Sequence, residues 1–263
     1  MKYVLVTGAY GGMGIKFVNK LVENGFNVIA LDKVVKQPTN NVYPIQVDIT
    51  NEQSVLQAYE KVCSITPSLF AIVHFAGIYM LDSLIEISND NFQKILNCNF
   101  CGAFLINKTF FPLLKEKSKI IMTTSELAPL SPLPFTGLYG ITKGALDKYA
   151  YSLRMELQLL GISVSVLRAG AVDTGMLDVS TQALDNFCQN TKLYSCNAKR
   201  FKKIVDSVEA RKILPEKIAN KTFKILNKKR PKFAYKINRN CLLLLLNILP
   251  KRFQLWIIRR ILK

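Results

Sequence analysis

The chain has 263 residues, 49% of them hydrophobic and 21% charged, which excludes disordered and collagen-like proteins and suits one large globular domain. Its formal net charge of +18 is unevenly distributed. Residues 199–263 hold 20 of the 36 Lys and Arg and only three acidic residues, whereas residues 1–198 are close to neutral. A strongly basic C-terminal segment bears on the partners of a protein and not on its fold.

The N-terminal segment MKYVLVTGAYGG holds a short apolar run before its first glycine. This run is too short for the apolar region of a secretory signal peptide, and it predicts a first strand. The six cysteines are scattered, and the nearest pair, Cys98 and Cys101, lacks a second pair or a histidine cluster. We therefore predict reduced thiols, no metal site and a cytoplasmic protein.

Short β-branched runs alternate with stretches of helical period along the chain. The predicted strands are YVLV, NVIALD, IQVD, FAIVHFAG, KIIMTTS and ISVSVLRAG, and predicted helices follow the glycine-rich turn and lie near 51–62, 90–116 and 137–160. Near-continuous apolar strands belong in a sheet covered on both faces, and their alternation with helices implies parallel crossovers. The pattern predicts an α/β fold with a doubly wound parallel sheet.

The pattern changes after residue 172. Residues 173–212 lack steady periodicity, which is typical of an irregular binding loop or lid. Helices are predicted at 213–228, 240–249 and 251–262, with Pro250 dividing the last two. We expect a catalytic domain over 1–235, containing a substrate-binding loop and helix region at 173–230, followed by basic amphipathic helices over 236–263.

A glycine-rich turn, TGAYGGMG, places Gly8, Gly12 and Gly14 between the first strand and the first helix. Glycines there let the backbone approach a pyrophosphate, whose charge is stabilised by free N–H groups at the helix N-terminus. Asp32 ends the second strand, where a carboxylate accepts hydrogen bonds from ribose hydroxyls and repels a 2′-phosphate. The turn predicts a dinucleotide cofactor, with NAD(H) favoured over NADP(H), although Lys33 could pair with a phosphate. A glycine turn without a ligand is the alternative.

The combination of TGxxxGxG, YxxxK and an upstream serine resembles the short-chain dehydrogenase/reductase family over residues 3 to about 175. The resemblance implies a Rossmann fold, an NAD(P) cofactor and oxidoreductase activity. It assigns catalytic roles to Asn99, Ser125, Tyr139 and Lys143. It implies a cofactor site made of Gly8, Gly12, Met13, Gly14, Asp32, Asp48, Ile49, Ala76, Gly77, Tyr139, Lys143, Val172 and Thr174.

The chemistry also follows from the residues themselves. Interconversion of an alcohol and a carbonyl needs a group that exchanges a proton with the oxygen, and a free tyrosine is a poor base at neutral pH. Lys143 lies one helical turn after Tyr139, where its charge would lower the pKa of the phenol. Ser125 would hold the substrate oxygen by hydrogen bonding. A surface Tyr–Lys pair without a catalytic role is the alternative.

Some positions depart from the family pattern, notably His74, Phe75 and Ala169. The family spacing of serine to tyrosine would place Glu126 at the catalytic position, since Ser125 lies one residue further upstream. We predict Ser125 because it ends a strand, because the loop PLSPLPF can hold one extra residue, and because an ionised glutamate would disfavour an alkoxide. Ser131 is a third, more remote candidate.

The C-terminal segment NRNCLLLLLNILPKRFQLWIIRRILK is too short in its apolar parts to span a bilayer. Phe253, Trp256, Ile257 and Ile261 recur at helical spacing among cations, which is typical of an interfacial amphipathic helix. Similar segments occur in retinol- and steroid-type members of the family, so the resemblance implies peripheral membrane contact. The alternatives are that the tail covers the protein's own cleft or forms a homodimer. Nucleic-acid binding is not expected, since no base-reading motif is visible.

We therefore expect an NAD(P)-dependent oxidoreductase that interconverts an alcohol and a ketone or aldehyde on a lipophilic substrate, resembling a lipid, steroid or retinoid. Two alternatives remain open. One is a non-catalytic nucleotide-binding sensor or scaffold of the same fold, which is favoured by the departures at His74, Phe75 and Ala169 and by the displaced serine. The other is a soluble reductase of a small polar carbonyl, in which the tail builds a dimer.

Overall fold

The computed structural model of the chain describes residues 1–209 and 211–263. The strands are β1 (Tyr3–Thr7), β2 (Asn27–Asp32), β3 (Val42–Gln46), β4 (Leu69–His74), β5 (Leu114–Ser125), β6 (Ser163–Ala169) and β7 (Ala234–Ile237). The helices are α1 (Gly12–Val22), α2 (Glu52–Ile65), α3 (Asn89–Leu96), α4 (Gly102–Phe110), α5 (Gly137–Leu157), α6 (Gly175–Asn190), α7 (Ser195–Glu209), α8 (Pro215–Leu226), α9 (Cys241–Ile248) and α10 (Lys251–Leu262).

The strands form a sheet of order β3-β2-β1-β4-β5-β6-β7, and within the described residues every pair of neighbouring strands is parallel. The predicted doubly wound α/β fold is confirmed. The edge strand β7 is not predicted from the sequence, because its segment AYKI is short and lies partly exposed at the edge of the sheet. Such a strand lacks the continuous apolar run of a buried one.

Two apolar layers cover the two faces of the sheet. In β1, Val4 and Val6 belong to one layer and Leu5 to the other, because successive side chains of a strand point to opposite faces. Helices α2, α4 and α5 pack on the Leu5 side, and α1 and α8 pack on the Val4 side. Burial on both faces explains why the sequences of the central strands are unbroken apolar runs.

The prediction of an irregular segment at 173–212 is wrong, because α6 and α7 occupy most of it; residue 210 lies outside the described part of the chain. Both helices are held by a third apolar cluster, in which Leu184, Phe187 and Phe201 pack against Leu81 and Leu262. This cluster draws on residues that are distant in the sequence, from the loop after β4 to the last helix. Tertiary packing therefore stabilises two helices whose own sequences are rich in polar residues.

The basic tail forms α9 and α10, as predicted, and it packs against the body of the protein. The side chain of Asn247 accepts a hydrogen bond from Ser131 N at 2.7 Å. At the other end, Asn197 Nδ2 donates to Leu262 O at 2.7 Å, and the side chain of Leu262 is buried. Over residues 1–209 and 211–263, no helix combines the length and apolarity that crossing a bilayer requires.

Candidate active site

The glycine-rich turn lies where β1 ends, beside the carboxyl end of β4. Gly8 has φ of +65°, and a Cβ on it would lie 2.6 Å from Ala76 N. A Cβ on Gly14 would lie 2.0 Å from Gly8 O, and one on Gly12 would lie 2.8 Å from the side chain of Thr174. The turn therefore requires glycine for both its conformation and its close backbone contacts.

A groove of about 810 Å³ runs along this turn. Its lining includes the predicted residues Gly8, Gly12, Met13, Gly14, Asp32, Ile49, Ala76, Gly77 and Thr174. The first turn of α1 has neither an acidic residue nor a side-chain cap, so no side chain of the helix itself competes for its N–H groups. This arrangement fits the pyrophosphate of a dinucleotide.

The residues at the end of β2 set the charge at one end of the groove. Asp32 Oδ2 accepts a hydrogen bond from Tyr10 N at 2.9 Å, and Oδ1 accepts one from Lys33 N at 2.8 Å. Lys33 Nζ in turn lies 2.8 Å from Asp48 Oδ2. These contacts fix the Asp32 carboxylate at the groove and pair the Lys33 ammonium with another acid.

Asp48 does not line the groove, although its neighbour Ile49 does. Its Oδ1 accepts hydrogen bonds from Thr50 N at 2.9 Å and from Thr50 Oγ1 at 2.7 Å. Burial raises the pKa of Asp48, but the hydrogen bonds from Lys33 and Thr50 outweigh it and leave the pKa below its ordinary value. A contact between Asp48 and adenine stays a prediction.

Ser125, Tyr139 and Lys143 come together in a second cavity, of about 190 Å³. Ser125 ends β5, and its hydroxyl is near enough to the side chain of Tyr139 on α5 to lower the pKa of the phenol. Lys143 Nζ lies 5.7 Å from the centroid of the Tyr139 ring and 3.4 Å from Thr123 O, to which it donates a hydrogen bond. Val172 and Thr174, both predicted from the sequence, also line this cavity.

Burial shifts the pKa values of the tyrosine and the lysine in opposite directions. It raises the pKa of Tyr139 to about 12, against the lowering effect of the Ser125 hydrogen bond. It lowers the pKa of Lys143 to about 8. The expected lowering of the tyrosine pKa is therefore absent in the protein alone, because desolvation outweighs the favourable contacts. Tyr139 is held protonated at neutral pH, as a proton donor must be.

Asn99 lies in a π-helical turn, Asn97–Cys101, between α3 and α4. Its Oδ1 accepts a hydrogen bond from Ile78 N at 2.7 Å, and its Nδ2 donates to Ile78 O at 2.9 Å and to Thr142 Oγ1 at 3.1 Å. Turns of this kind are frequent at functional sites. The side chain braces the loop after β4 against α5, one residue from Lys143.

The side chains of Ser125 and Glu126 have different partners in the structure. Ser125 contacts Tyr139, whereas Glu126 Oε2 accepts a hydrogen bond from Asn240 N at 2.6 Å, just before α9. Glu126 nevertheless lines the same cavity as Ser125. Ser131 contacts the tail, since its hydroxyl accepts a hydrogen bond from Lys251 Nζ. Ser125, and not Glu126, is therefore the residue beside the side chain of Tyr139.

His74, which departs from the family pattern, is buried at the end of β4. Its Nε2 lies 2.9 Å from Asn107 Oδ1, and its Nδ1 lies 3.5 Å from Thr7 Oγ1. Burial lowers the pKa of His74 to about 4, although the Asn107 contact opposes this. The imidazole is a neutral core group that joins β1 and β4 to α4.

The far wall of the cavity consists of apolar residues that the sequence analysis did not assign to the site. They are Phe201, Ile204 and Val205 of α7 and Leu243 of α9. The spacing of the three residues in α7 is that of one helix face, so a periodicity search could have found them. The tail therefore contributes to the wall of the site.

The groove also has lining residues that the glycine motif did not reveal, among them Tyr10, Lys36, Thr50, Ile78 and Cys98. They come from loops that follow the strands, where no periodic pattern marks them. The groove and the cavity adjoin, since they share Met13, Phe75, Gly77, Tyr79 and Thr174. A ligand in the groove can thus reach Tyr139.

The sequence model of the family described as short chain dehydrogenase matches residues 2–185. The chain belongs to this family of oxidoreductases, as the glycine turn and the Tyr139–Lys143 pair predicted. The match covers the sheet from β1 to β6 and ends within α6.

The individual relatives are named as reductases of different substrates. The 3-amino-tetrahydro-pyrrolizinone reductase of Xenorhabdus hominickii is 32% identical over 195 residues, or 70% of this chain and 68% of the relative. The NADPH-dependent 1-acyldihydroxyacetone phosphate reductase of Schizosaccharomyces pombe is 30% identical over 179 residues, or 66% of this chain and 60% of the relative. The 3-ketodihydrosphingosine reductase of Bacteroides thetaiotaomicron is 26% identical over 236 residues, or 89% of this chain and 87% of the relative.

Solved structures confirm the fold. A short chain dehydrogenase family protein from Francisella tularensis superposes with a TM-score of 0.75 at 23% identity, covering 90% of this chain and 97% of the other. At this identity the likeness shows the fold alone, which is the predicted Rossmann fold.

Proposed function

We propose that the protein interconverts an alcohol and a ketone or aldehyde on a lipophilic substrate, using NAD(P). Ser125, Tyr139 and Lys143 lie together in a cavity that adjoins the glycine-lined groove, and this is the observation that carries the proposal. The catalytic set is Asn99, Ser125, Tyr139 and Lys143.

Each residue has a role that follows from its position. When bound, the dinucleotide supplies or accepts the hydride. In reduction, Tyr139 Oη donates its proton to the carbonyl oxygen as negative charge develops there, while Ser125 Oγ orients that oxygen by hydrogen bonding. The ammonium of Lys143 stabilises the negative charge left on the phenol oxygen. Asn99 holds α5 against the loop after β4 and so keeps Lys143 in place.

Replacing Tyr139 by Phe tests the proposal, with Tyr149→Phe on the same helix as the matched control. Loss of a positioned proton donor should lower kcat about 10²-fold to 10⁴-fold. Tyr149 lies outside the cavity lining, so its variant should keep the wild-type kcat. Cofactor binding is followed in parallel by fluorescence titration.

The same comparison separates the enzyme from the non-catalytic sensor or scaffold. The sensor predicts nucleotide binding without turnover in both the wild type and Tyr139→Phe. His74 and Phe75 favoured that alternative, but packing accounts for both. The imidazole of His74 pairs with Asn107, and the centroids of the Phe75 and Phe17 rings lie 5.5 Å apart. Neither departure removes a group that the proposed reaction needs.

For the cofactor, the charges at the groove favour NAD(H). Asp32 would repel a 2′-phosphate, and Lys33, which could attract one, is paired with Asp48. Against this, one relative is NADPH-dependent by name, and Lys36 also lines the groove. Titration of NADH and NADPH against the wild type and Asp32→Ala decides the matter. The NAD(H) proposal predicts that the substitution weakens NADH and strengthens NADPH; tighter NADPH binding by the wild type would contradict it.

The apolar wall of the cavity supports a lipophilic substrate. Phe201, Ile204, Val205 and Leu243 offer no hydrogen-bonding side chain to a small polar molecule. The names of two relatives, an acyldihydroxyacetone phosphate reductase and a ketodihydrosphingosine reductase, accord with this substrate class. Rates with ketones of increasing chain length test it, because a soluble reductase of small polar carbonyls would lose rate as the chain grows.

We also propose that the outer face of the tail contacts an anionic membrane surface. Leu242, Leu245 and Ile248 of α9 are exposed, and the half-exposed rings of Phe253 and Trp256 stack at a centroid distance of 5.4 Å. Exposed cations surround the rings on α10, namely Lys251, Arg252, Arg259 and Arg260. Exposed apolar side chains ringed by cations suit an interface of anionic lipids.

Co-sedimentation with vesicles tests this contact in the intact chain. Leu245→Ser with Trp256→Ser should abolish binding to vesicles that contain phosphatidylserine. The control, Leu159→Ser with Leu160→Ser, changes equally exposed leucines beyond the end of α5 and should bind like the wild type. Unchanged binding by the tail variant, together with a dimer in sedimentation analysis that the variant disrupts, would favour the dimer alternative.

A further inference from the structure

Glu126 is a carboxylic acid in the wall of the substrate cavity. It directly follows Ser125, and both residues line the cavity together with Tyr139. Among the described residues of this lining, Glu126 alone is acidic, and the opposite wall is apolar. The proposed transfer of a hydride and a proton does not use this carboxyl group.

The two oxygens of Glu126 have different surroundings. Oε2 accepts the hydrogen bond from Asn240 N at 2.6 Å and so holds the start of α9. Oε1 lies 3.1 Å from the position that a Cβ on Gly170 would take, and Gly170 also lines the cavity. Within the part of the chain that the structure describes, no donor forms a hydrogen bond with Oε1. A Cβ on Gly170 would also lie 1.9 Å from Asn238 O, so position 170 requires glycine and no side chain there covers Oε1.

The electrostatic setting makes a partner for Oε1 favourable. Burial raises the pKa of Glu126, although the Asn240 N–H and the charge of Arg239 lower it. Glu126 is half-buried, and its Oε1 is free to accept a charge-assisted hydrogen bond from a donor that arrives with the substrate. Glu126 directly follows Ser125 and both line one cavity, so one substrate in that cavity could contact both side chains.

We propose that Glu126 selects substrates in which a hydrogen-bond donor, an ammonium or a hydroxyl group, is attached one or two bonds from the reacting carbonyl carbon. The proposal rests on the proposed oxidoreductase function and narrows its substrate class. The donor binds Oε1, the carbonyl oxygen lies at Ser125 and Tyr139, and the hydrocarbon part packs against Phe201 and Leu243.

The test compares three ketones of equal chain length: a plain ketone, its α-hydroxy form and its α-amino form. Wild type, Glu126→Gln and the exposed control Glu60→Gln are assayed with each. Glutamine keeps an oxygen that can accept the Asn240 N–H but loses the negative charge. We expect the wild type to have a higher kcat/KM for at least one donor-bearing ketone than for the plain ketone. Glu126→Gln should reduce the ratio of these two kcat/KM values about 10-fold to 100-fold, because a charge-assisted hydrogen bond is lost. Glu60→Gln should keep the ratio.

Equal losses for all three ketones in Glu126→Gln would show that the residue only holds α9, and would overturn the proposal. A wild-type ratio near one would do the same. Calorimetry with a long-chain amino alcohol, the matching diol and the plain alcohol gives a readout that does not depend on turnover. If the plain alcohol binds as tightly as the other two, the inference fails. Absence of turnover with preferential binding of a donor-bearing alcohol would instead contradict the proposed function and leave the Glu126 site intact.

Discussion

Tyr139 and Lys143 have shifted pKa values for one physical reason, which is their removal from water. Desolvation penalises the charged form of each group, so the phenol stays protonated and the ammonium loses its proton more easily. With a pKa of about 12 for Tyr139 and about 8 for Lys143, the pair is set to donate a proton near neutral pH. Removal of a proton from an alcohol would require further positive charge close to the phenol.

The low pKa of Lys143 predicts a pH dependence of the reaction. Lys143 is charged below a pH of about 8 and then stabilises the phenolate that forms as Tyr139 gives up its proton. We expect kcat/KM for ketone reduction to fall as the pH rises through that value. Lys143→Arg keeps its charge at high pH, so its rates should lack this fall. The same fall in both proteins would assign it to another group.

His74 predicts a pH dependence of stability. Its pKa is about 4 in the folded protein, below the ordinary value of 6.5, because it is buried. Between these two values the unfolded chain binds more protons, so the free energy of unfolding should fall as the pH drops from 6.5 to 4. The loss should be about 3 kcal/mol at most, from a shift of roughly 2.5 pKa units.

Urea unfolding of the wild type and His74→Asn at several pH values measures this effect. The variant lacks the titrating group but keeps all others, so the difference between the two stability curves isolates His74. That difference should change across the window and stay constant above it. Parallel curves would show that protonation of His74 is not linked to unfolding.

At the scale of elements, the turn between β1 and α1 permits a matched pair of glycine substitutions. Gly8 and Gly25 both have left-handed φ values, of +65° and +74°. Gly25→Ala meets no atom within 4 Å, so it should cost only about 1 kcal/mol of backbone strain. Gly8→Ala would in addition collide with the backbone at Phe75 and Ala76, and should cost more and abolish nucleotide binding. Thermal unfolding and cofactor titration measure both, and equal costs would contradict the close contact.

The elements differ in how well the sequence predicts them, for reasons of packing. Helix α5 and strand β5 carry their own patterns, so the Ser125–Tyr139–Lys143 group could be placed from motifs. Helices α6 and α7 carry no motif, and although α7 has an apolar face, what that face packs against, Leu81 and Leu262, is distant in the sequence. The raised pKa of Tyr139 was missed for a related reason: burial depends on the walls that α7 and α9 supply.

At the scale of the whole molecule, the positive charge lies in the last quarter of the chain, and α10 presents four of its cations beside exposed apolar side chains. We expect binding to phosphatidylserine vesicles to weaken as salt rises from about 0.1 M to about 1 M, since the screening length shrinks from roughly 10 Å to roughly 3 Å. Neutral phosphatidylcholine vesicles should show little of this dependence. Binding that salt does not weaken would assign the contact to the apolar residues alone.

The order of strands in the sheet has a consequence for how the chain folds during synthesis. After β4 pairs with β1, each later strand joins the same growing edge, from β5 to β6 to β7. The glycine turn and its groove can therefore assemble while the C-terminal third is still being made. Until β7 arrives, β6 remains an open edge with unpaired backbone groups that could bind another chain. The strand Ala234–Ile237 thus replaces a seven-residue edge by an edge of only four residues, which is less able to pair with another chain.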